Sequence, residues 1–172
     1  TRARGRRPAR ADPAPIKRAF RLADAHSPGC CIGCAGDGST AELSPEESRL
    51  AAGATVLRRH EFASGRKAAR SALLEAGAGQ SIIIGCDAAG VPIFPSHYVG
   101  SIAHSHGRAV AVSGRGREFE GVGVDLEYDG IDDGLAETVL TTTERQALLP
   151  ALKLCVPALR SPPTLIFSAK EA

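Results

Sequence analysis

Tryptophan and methionine are absent, and only two tyrosines and five phenylalanines occur in 172 residues. A buried core must therefore be assembled from Ala, Val, Leu and Ile. No apolar run approaches the roughly 18 residues that a membrane-spanning helix needs, and no signal-peptide h-region is present. Five cysteines in such a chain are read as reduced, cytosolic thiols. A cytoplasmic monomer with no membrane span and no specific nucleic-acid partner is the expectation.

Charge is unevenly spread. Thr1–Arg21 carries eight Lys/Arg against one Asp, whereas Leu22–Ala172 carries 13 basic and 18 acidic residues, for a net charge of +2. The arginine-rich start has the composition of a disordered arm. It is read as upstream sequence without a role, in preference to a nucleic-acid or membrane contact. Residues 1–40 thus divide into this arm and a loop holding His26, Cys30, Cys31 and Cys34, ahead of a domain over 41–172. Cys31 and Cys34 have zinc-like spacing, but no second Cys/His pair follows at a suitable distance.

What is there reads as mixed α and β. Ser44-Pro45-Glu46-Glu47 combines an N-cap, a proline at the first helical position and a glutamate at the third. Thr55 to Ala76 lacks proline, is rich in Ala, Leu and Arg, and should be a helix closed by Gly77. A strand is expected at Ser81–Ile84 and a turn at Ala88–Pro92. Strands near Val99–Ser105, Ala109–Ser113 and Phe119–Glu127 predict an antiparallel meander. Leu135–Leu140 and Thr143–Leu149 read as short helices, separated by the break at Thr141-Thr142-Thr143-Glu144. After a proline-marked loop, Thr164–Phe167 reads as a strand and Ser168-Ala169-Lys170-Glu171 as the opening of a helix.

Two of these segments carry chemistry. In Gly121-Val122-Gly123-Val124-Asp125-Leu126-Glu127 the period of two puts Asp125 and Glu127 on one strand face, away from the core. Neighbouring carboxylates repel unless a cation lies between them, and hard oxygen ligands suit Mg2+; a solvated strand face is the plainer alternative. At Ser168-Ala169-Lys170-Glu171, Glu171 can serve simply as partner to a Ser168 cap. Equally, a lysine and a carboxylate in a first helical turn can face a phosphate and a metal together.

In this order the motifs resemble the 4'-phosphopantetheinyl transferases, of the enterobactin-synthetase component D type. The resemblance runs from about Arg58 to Ala172. It is carried by Arg58-Arg59-His60-Glu61-Phe62 with Gly65-Arg66-Lys67-Ala68-Ala69-Arg70, by Pro92-Ile93-Phe94-Pro95, by Gly100-Ser101-Ile102-Ala103-His104-Ser105, by Val122–Glu127, and by Phe167–Ala172. It implies an α+β fold of two similar, pseudo-twofold halves with the active site between them. It also implies a holo-[acyl-carrier-protein] synthase reaction, in which the 4'-phosphopantetheine of coenzyme A moves to a serine of an apo acyl, peptidyl or aryl carrier protein. Siderophore, nonribosomal peptide, polyketide or fatty acid synthesis would supply that partner, which would dock near the junction of the halves. By resemblance, Asp125, Glu127 and Glu171 hold Mg2+, and Lys170 contacts phosphate and belongs to the catalytic set. Arg58, Arg66, Ala103 and His104 bind coenzyme A together with Asp125 and Lys170, His104 at the 3'-phosphate. Arg70 is read as structural.

The chain departs from the family pattern at particular residues. Ala103 stands where serine or threonine is usual, Gly85-Cys86-Asp87 lacks a nearby basic residue, and Phe167 replaces a tryptophan. The family continues past Lys-Glu-Ala with a further lysine and more secondary structure, while this chain stops at Ala172. Thr1 in place of methionine also fits a fragment whose C-terminal half is incomplete. The competing readings are an inactive remnant of such an enzyme and, less well matched, a metal-dependent phosphoesterase or nuclease using Asp125, Glu127 and Glu171.

Overall fold

The computed structural model describes residues 29–36, 38–127, 133–155 and 161–172. The arm at Thr1–Arg21, His26 and Pro157 fall outside the described residues.

Cys30–Ala35 forms strand β1. A single 3-10 turn at Thr40–Glu42 leads to α1, Pro45–Leu50, where the capping box is complete. Glu47 N–H donates to Ser44 Oγ at 3.1 Å, and Ser44 N–H donates to Glu47 Oε2 at 2.9 Å. Helix α2 spans Val56–Glu75, with Thr55 accepting from Arg58 N–H at its start and Gly77, at φ +92°, just past its end. The expected helix is thus found within a residue at each end.

Strands β2 (Gly85–Cys86) and β3 (Pro92–Ile93) pair with each other across the turn held by Asp87, whose Oδ1 accepts from Ala89 and Val91 N–H. Strands β4 (Tyr98–Ser105) and β5 (Arg108–Arg115) form a hairpin around His106 and Gly107, with φ of +51° and +75°. Positive φ at both central residues is what a two-residue connection matching the strand twist requires.

The main sheet has the order β1-β5-β4 and is antiparallel throughout. Helix α2 packs on the face carrying Ala109, Ala111 and Ile102, and its Ala68, Ala69 and Leu73 join Ile82 and Ile84 in the core. With so little aromatic volume the backbones close in: a Cβ at Gly33 would strike the Ala68 carbonyl, and one at Gly100 would enter the Phe94 ring.

The second lobe is helical. Helix α3 spans Asp133–Val139, and a π-helical turn at Glu144–Leu148 continues into α4, Leu149–Cys155; α5 spans Pro162–Glu171. Ala136, Leu140 and Ile166 form its buried centre, flanked by Val139, Leu149 and Leu152.

Several local expectations are corrected. The segment holding Cys30, Cys31 and Cys34 is a sheet strand and not a loop, paired over six positions with β5. Residues three apart on a strand point to opposite faces, so Cys31 and Cys34 cannot grip one ion. Ser81–Ile84 forms no ladder, although Ile82 and Ile84 are buried as a strand reading requires. Residues 119–127 also form no ladder, because β1 already occupies the free edge of β5.

The run Thr164–Phe167 is helical, not extended, and Ser168 is no helix start. The start lies seven residues earlier: Ser161 Oγ accepts from Thr164 N–H, with prolines at the first two helical positions. Glu171 consequently sits in the last turn of α5 instead of the third position of a new helix.

Candidate functional site

Period two along β4 places Tyr98, Gly100, Ile102 and His104 on the face that α2 covers, since Ile102 belongs to the shared core. His104 lies at the far end of that row, where it meets the first turn of α2. Arg58 Nη1 donates to His104 Nε2 at 2.5 Å, although the two residues are 46 apart in sequence. The same guanidinium nitrogen reaches Glu61 Oε2 at 3.2 Å. Both partners are exposed, so a guanidinium fork and an imidazole stand together at an open edge of the molecule. That pairing suits a phosphate, which accepts from planar donor forks and ring N–H groups alike. Ala103 falls on the opposite face of β4, so only its backbone can serve the same edge.

Arg66 is placed differently. It is 3 % exposed and stacks on Phe62 with 4.2 Å from guanidinium to ring centre. Its Nε donates to Ile84 O at 2.9 Å, and its Nη2 donates to Gly85 O at 3.1 Å and Cys86 Sγ at 2.9 Å. Burial pushes its pKa down, while Cys86 and Glu47 pull it back up. Among the described residues, Nη1 is the nitrogen of its fork left without a partner. Arg70 is structural, as read: its Nη1 lies 2.9 Å from both oxygens of Glu47, and its Nη2 donates to Glu42 O.

The carboxylates are brought near one another only in part. Asp125 is half-buried and not on a solvated face, and its Oδ2 is buried without a hydrogen-bond partner among the described residues. An orphaned buried carboxylate oxygen is costly unless a cation or donor completes it, so Asp125 fits a metal ligand. Glu127, two residues on, is exposed. The end of α5 arrives beside this segment, because the Ala172 carbonyl fills the space a Gly123 side chain would need. Even so, no group of three His, Cys, Asp or Glu side chains converges for a metal among the described residues.

Lys170 is engaged within the helical lobe. Its Nζ donates to Val139 O at 2.9 Å and to Glu144 Oε2 at 3.1 Å. Glu144 also accepts from Thr141 N–H at 2.7 Å, and its own N–H donates to Thr141 Oγ1. The Thr141 backbone donor, with Lys170 second, holds the Glu144 pKa below its ordinary value. Glu61, Glu144 and Cys86 were given no site role from sequence. Only the Thr141-x-x-Glu144 spacing, a capping box, gave a local signal for any of them.

Comparison with known proteins bears on the chain that carries these residues. The sequence description "4'-phosphopantetheinyl transferase N-terminal domain" matches residues 46–114, which hold Arg58, Arg66, Ala103 and His104. The chain is 36 % identical over 129 residues to the 4'-phosphopantetheinyl transferase PptT of Mycobacterium tuberculosis, covering 74 % of this chain and 55 % of that protein. Over these residues it is similar to the 4'-phosphopantetheinyl transferases. The transferase Npt of Nocardia iowensis is 37 % identical over 130 residues, again with 74 % of this chain and 55 % of that protein covered. Among solved structures, a holo-(acyl-carrier-protein) synthase from Bacillus anthracis in complex with CoA (3',5'-ADP) overlaps 49 % of this chain and 92 % of its own, at 25 % identity and a TM-score of 0.39. The chain therefore spans about half the length of the curated transferases it matches. Its mixed α+β architecture is the class expected of the family.

Proposed function

We infer that this chain is part of an enzyme that transfers the 4'-phosphopantetheine group of coenzyme A to a serine hydroxyl of an apo carrier protein. The serine oxygen attacks the phosphorus bearing the pantetheine arm, the bridging P–O bond breaks, and 3',5'-ADP leaves. The observation that carries this reading is the convergence of Arg58 and His104 from α2 and β4.

Their shared edge offers donors to coenzyme A, with His104 at the 3'-phosphate. Arg66 contributes through its remaining nitrogen and by fixing residues 84–86. Ala103 contributes backbone alone. Asp125, with its orphaned oxygen, and Glu127 would hold Mg2+, with Glu171 completing the set by resemblance. When bound, that ion would neutralise charge on the pyrophosphate as the leaving group departs. Lys170 adds a cation at the same phosphates. The enterobactin-synthetase component D type, a siderophore, peptide, polyketide or fatty acid carrier as partner, a monomeric state and a cytoplasmic setting complete the reading.

Mass spectrometry tests it. Incubation with coenzyme A, Mg2+ and a purified apo carrier should add one phosphopantetheine to the carrier and release an equal amount of 3',5'-ADP. Asp125→Ala should abolish the gain with the circular dichroism spectrum unchanged. Release of 3',5'-ADP without any carrier would point to a phosphoesterase instead, and an Asp125→Ala variant that works at the wild-type rate would remove the metal assignment.

A further inference from the structure

We propose that Glu144 is a positioning residue that aims the Lys170 ammonium at the phosphates of the bound substrate. The inference rests on the proposed role of Lys170 and adds a residue that neither the motifs nor the comparisons single out. A lysine ammonium has three N–H donors and a long, freely rotating stem, so left alone it samples many directions. Here two of the three donors are committed, one to Val139 O at 2.9 Å and one to Glu144 Oε2 at 3.1 Å. Tetrahedral geometry then fixes the direction of the third. Lys170 remains partly exposed, with 39 % of its side chain open, which leaves room for a ligand beside it.

Glu144 is itself held from several sides, which is what a positioning group requires. Its Oε2 accepts from Thr141 N–H at 2.7 Å, and its backbone N–H donates to Thr141 Oγ1 at 3.2 Å. It opens the π-helical turn Glu144–Leu148, a local widening of the helix that recurs at functional sites. Thus a rigid helix start in one element fixes a flexible cation on another, α5, whose end reaches Gly123 near Asp125. Fixing a donor before the ligand arrives removes an ordering cost from the reacting complex.

A double-mutant cycle separates this role from helix capping. Glu144→Gln keeps an oxygen that accepts from Thr141 N–H but loses the charge that holds Lys170. Coenzyme A affinity, kcat and KM are measured for wild type, Glu144→Gln, Lys170→Ala and the double variant. The expected result is a drop of about tenfold in kcat for Glu144→Gln, the scale of one charged hydrogen bond, with a smaller change in KM and an unchanged circular dichroism spectrum at the assay temperature. In the Lys170→Ala background the second substitution should add nothing. A full, additive loss in the double variant would overturn the proposal, as would wild-type kcat in Glu144→Gln beside an impaired Lys170→Ala. Wild-type kinetics in Lys170→Ala would instead remove the role of Lys170 itself, and this inference with it.

Discussion

Glu47 has no exposed surface, and its carboxylate serves three donors at once: Ser44 N–H, Ile84 N–H and the Arg70 guanidinium. The sequence spacing announces only the first of these, because a capping box is local and the others arrive from 23 and 37 residues away. Removing one partner of a buried pair leaves a desolvated charge behind. Glu47→Ala should therefore destabilise the fold by about 3 kcal/mol, read as a lower denaturant midpoint, whereas Arg70→Lys should cost less. Arg66 and Arg70 teach the same lesson from the other side. Both lie on one stripe of α2, and only the tertiary position of residues 84–86 commits the buried fork of one to the loop and the fork of the other to Glu47. Helical periodicity identifies the stripe and is silent on what each guanidinium meets.

At the scale of elements, the helices with complete capping signals were legible and the short apolar runs were not. Val56–Glu75 was readable from its composition, its lack of proline and its closing glycine. The α5 run Thr164–Phe167 resembles a strand because four apolar or β-branched residues carry no period; the decisive signal was Ser161 followed by two prolines, which preset the helical φ. Strand β1 was missed because Cys30–Ala35, apart from Ile32, is made of small residues, and its partner β5 lies about eighty positions away. The Thr141–Glu144 start carries a pH signature. Glu144 titrates below its ordinary 4.5 in the folded chain. A depressed carboxylate pKa contributes stability that is fully present above about pH 4.5 and is lost as pH falls through the folded value. Melts of the helical lobe followed by ellipticity should weaken below pH 4.5, and Glu144→Gln should flatten that part of the profile. An unchanged acid limb in the variant would contradict the assignment.

The molecule holds two small cores, a helix-covered sheet around Leu73 and Ile84 and a helical cluster around Ala136 and Ile166, and its candidate residues are divided between them: Arg58 and His104 at an edge of the first, Lys170 and Glu171 on α5 of the second. The order of motifs along the chain was legible, and so was the resemblance to the 4'-phosphopantetheinyl transferases. Their meeting was not, since Arg58 and His104 come together only because α2 runs across the sheet and ends its row at β4. The carboxylate segment was misjudged for a related reason: both edges of β5 are taken, by β1 and β4, so residues 119–127 do not extend the hairpin, and Asp125 is half-buried instead of displayed. The central claim is that the Arg58–His104 edge reads the 3'-phosphate of coenzyme A. Titration calorimetry with coenzyme A and with dephospho-coenzyme A, on wild type and His104→Ala, tests it most directly. Loss of one charged hydrogen bond should raise the coenzyme A Kd about ten- to a hundredfold, with little change for dephospho-coenzyme A. Equal losses for both ligands, or none for either, would contradict the claim.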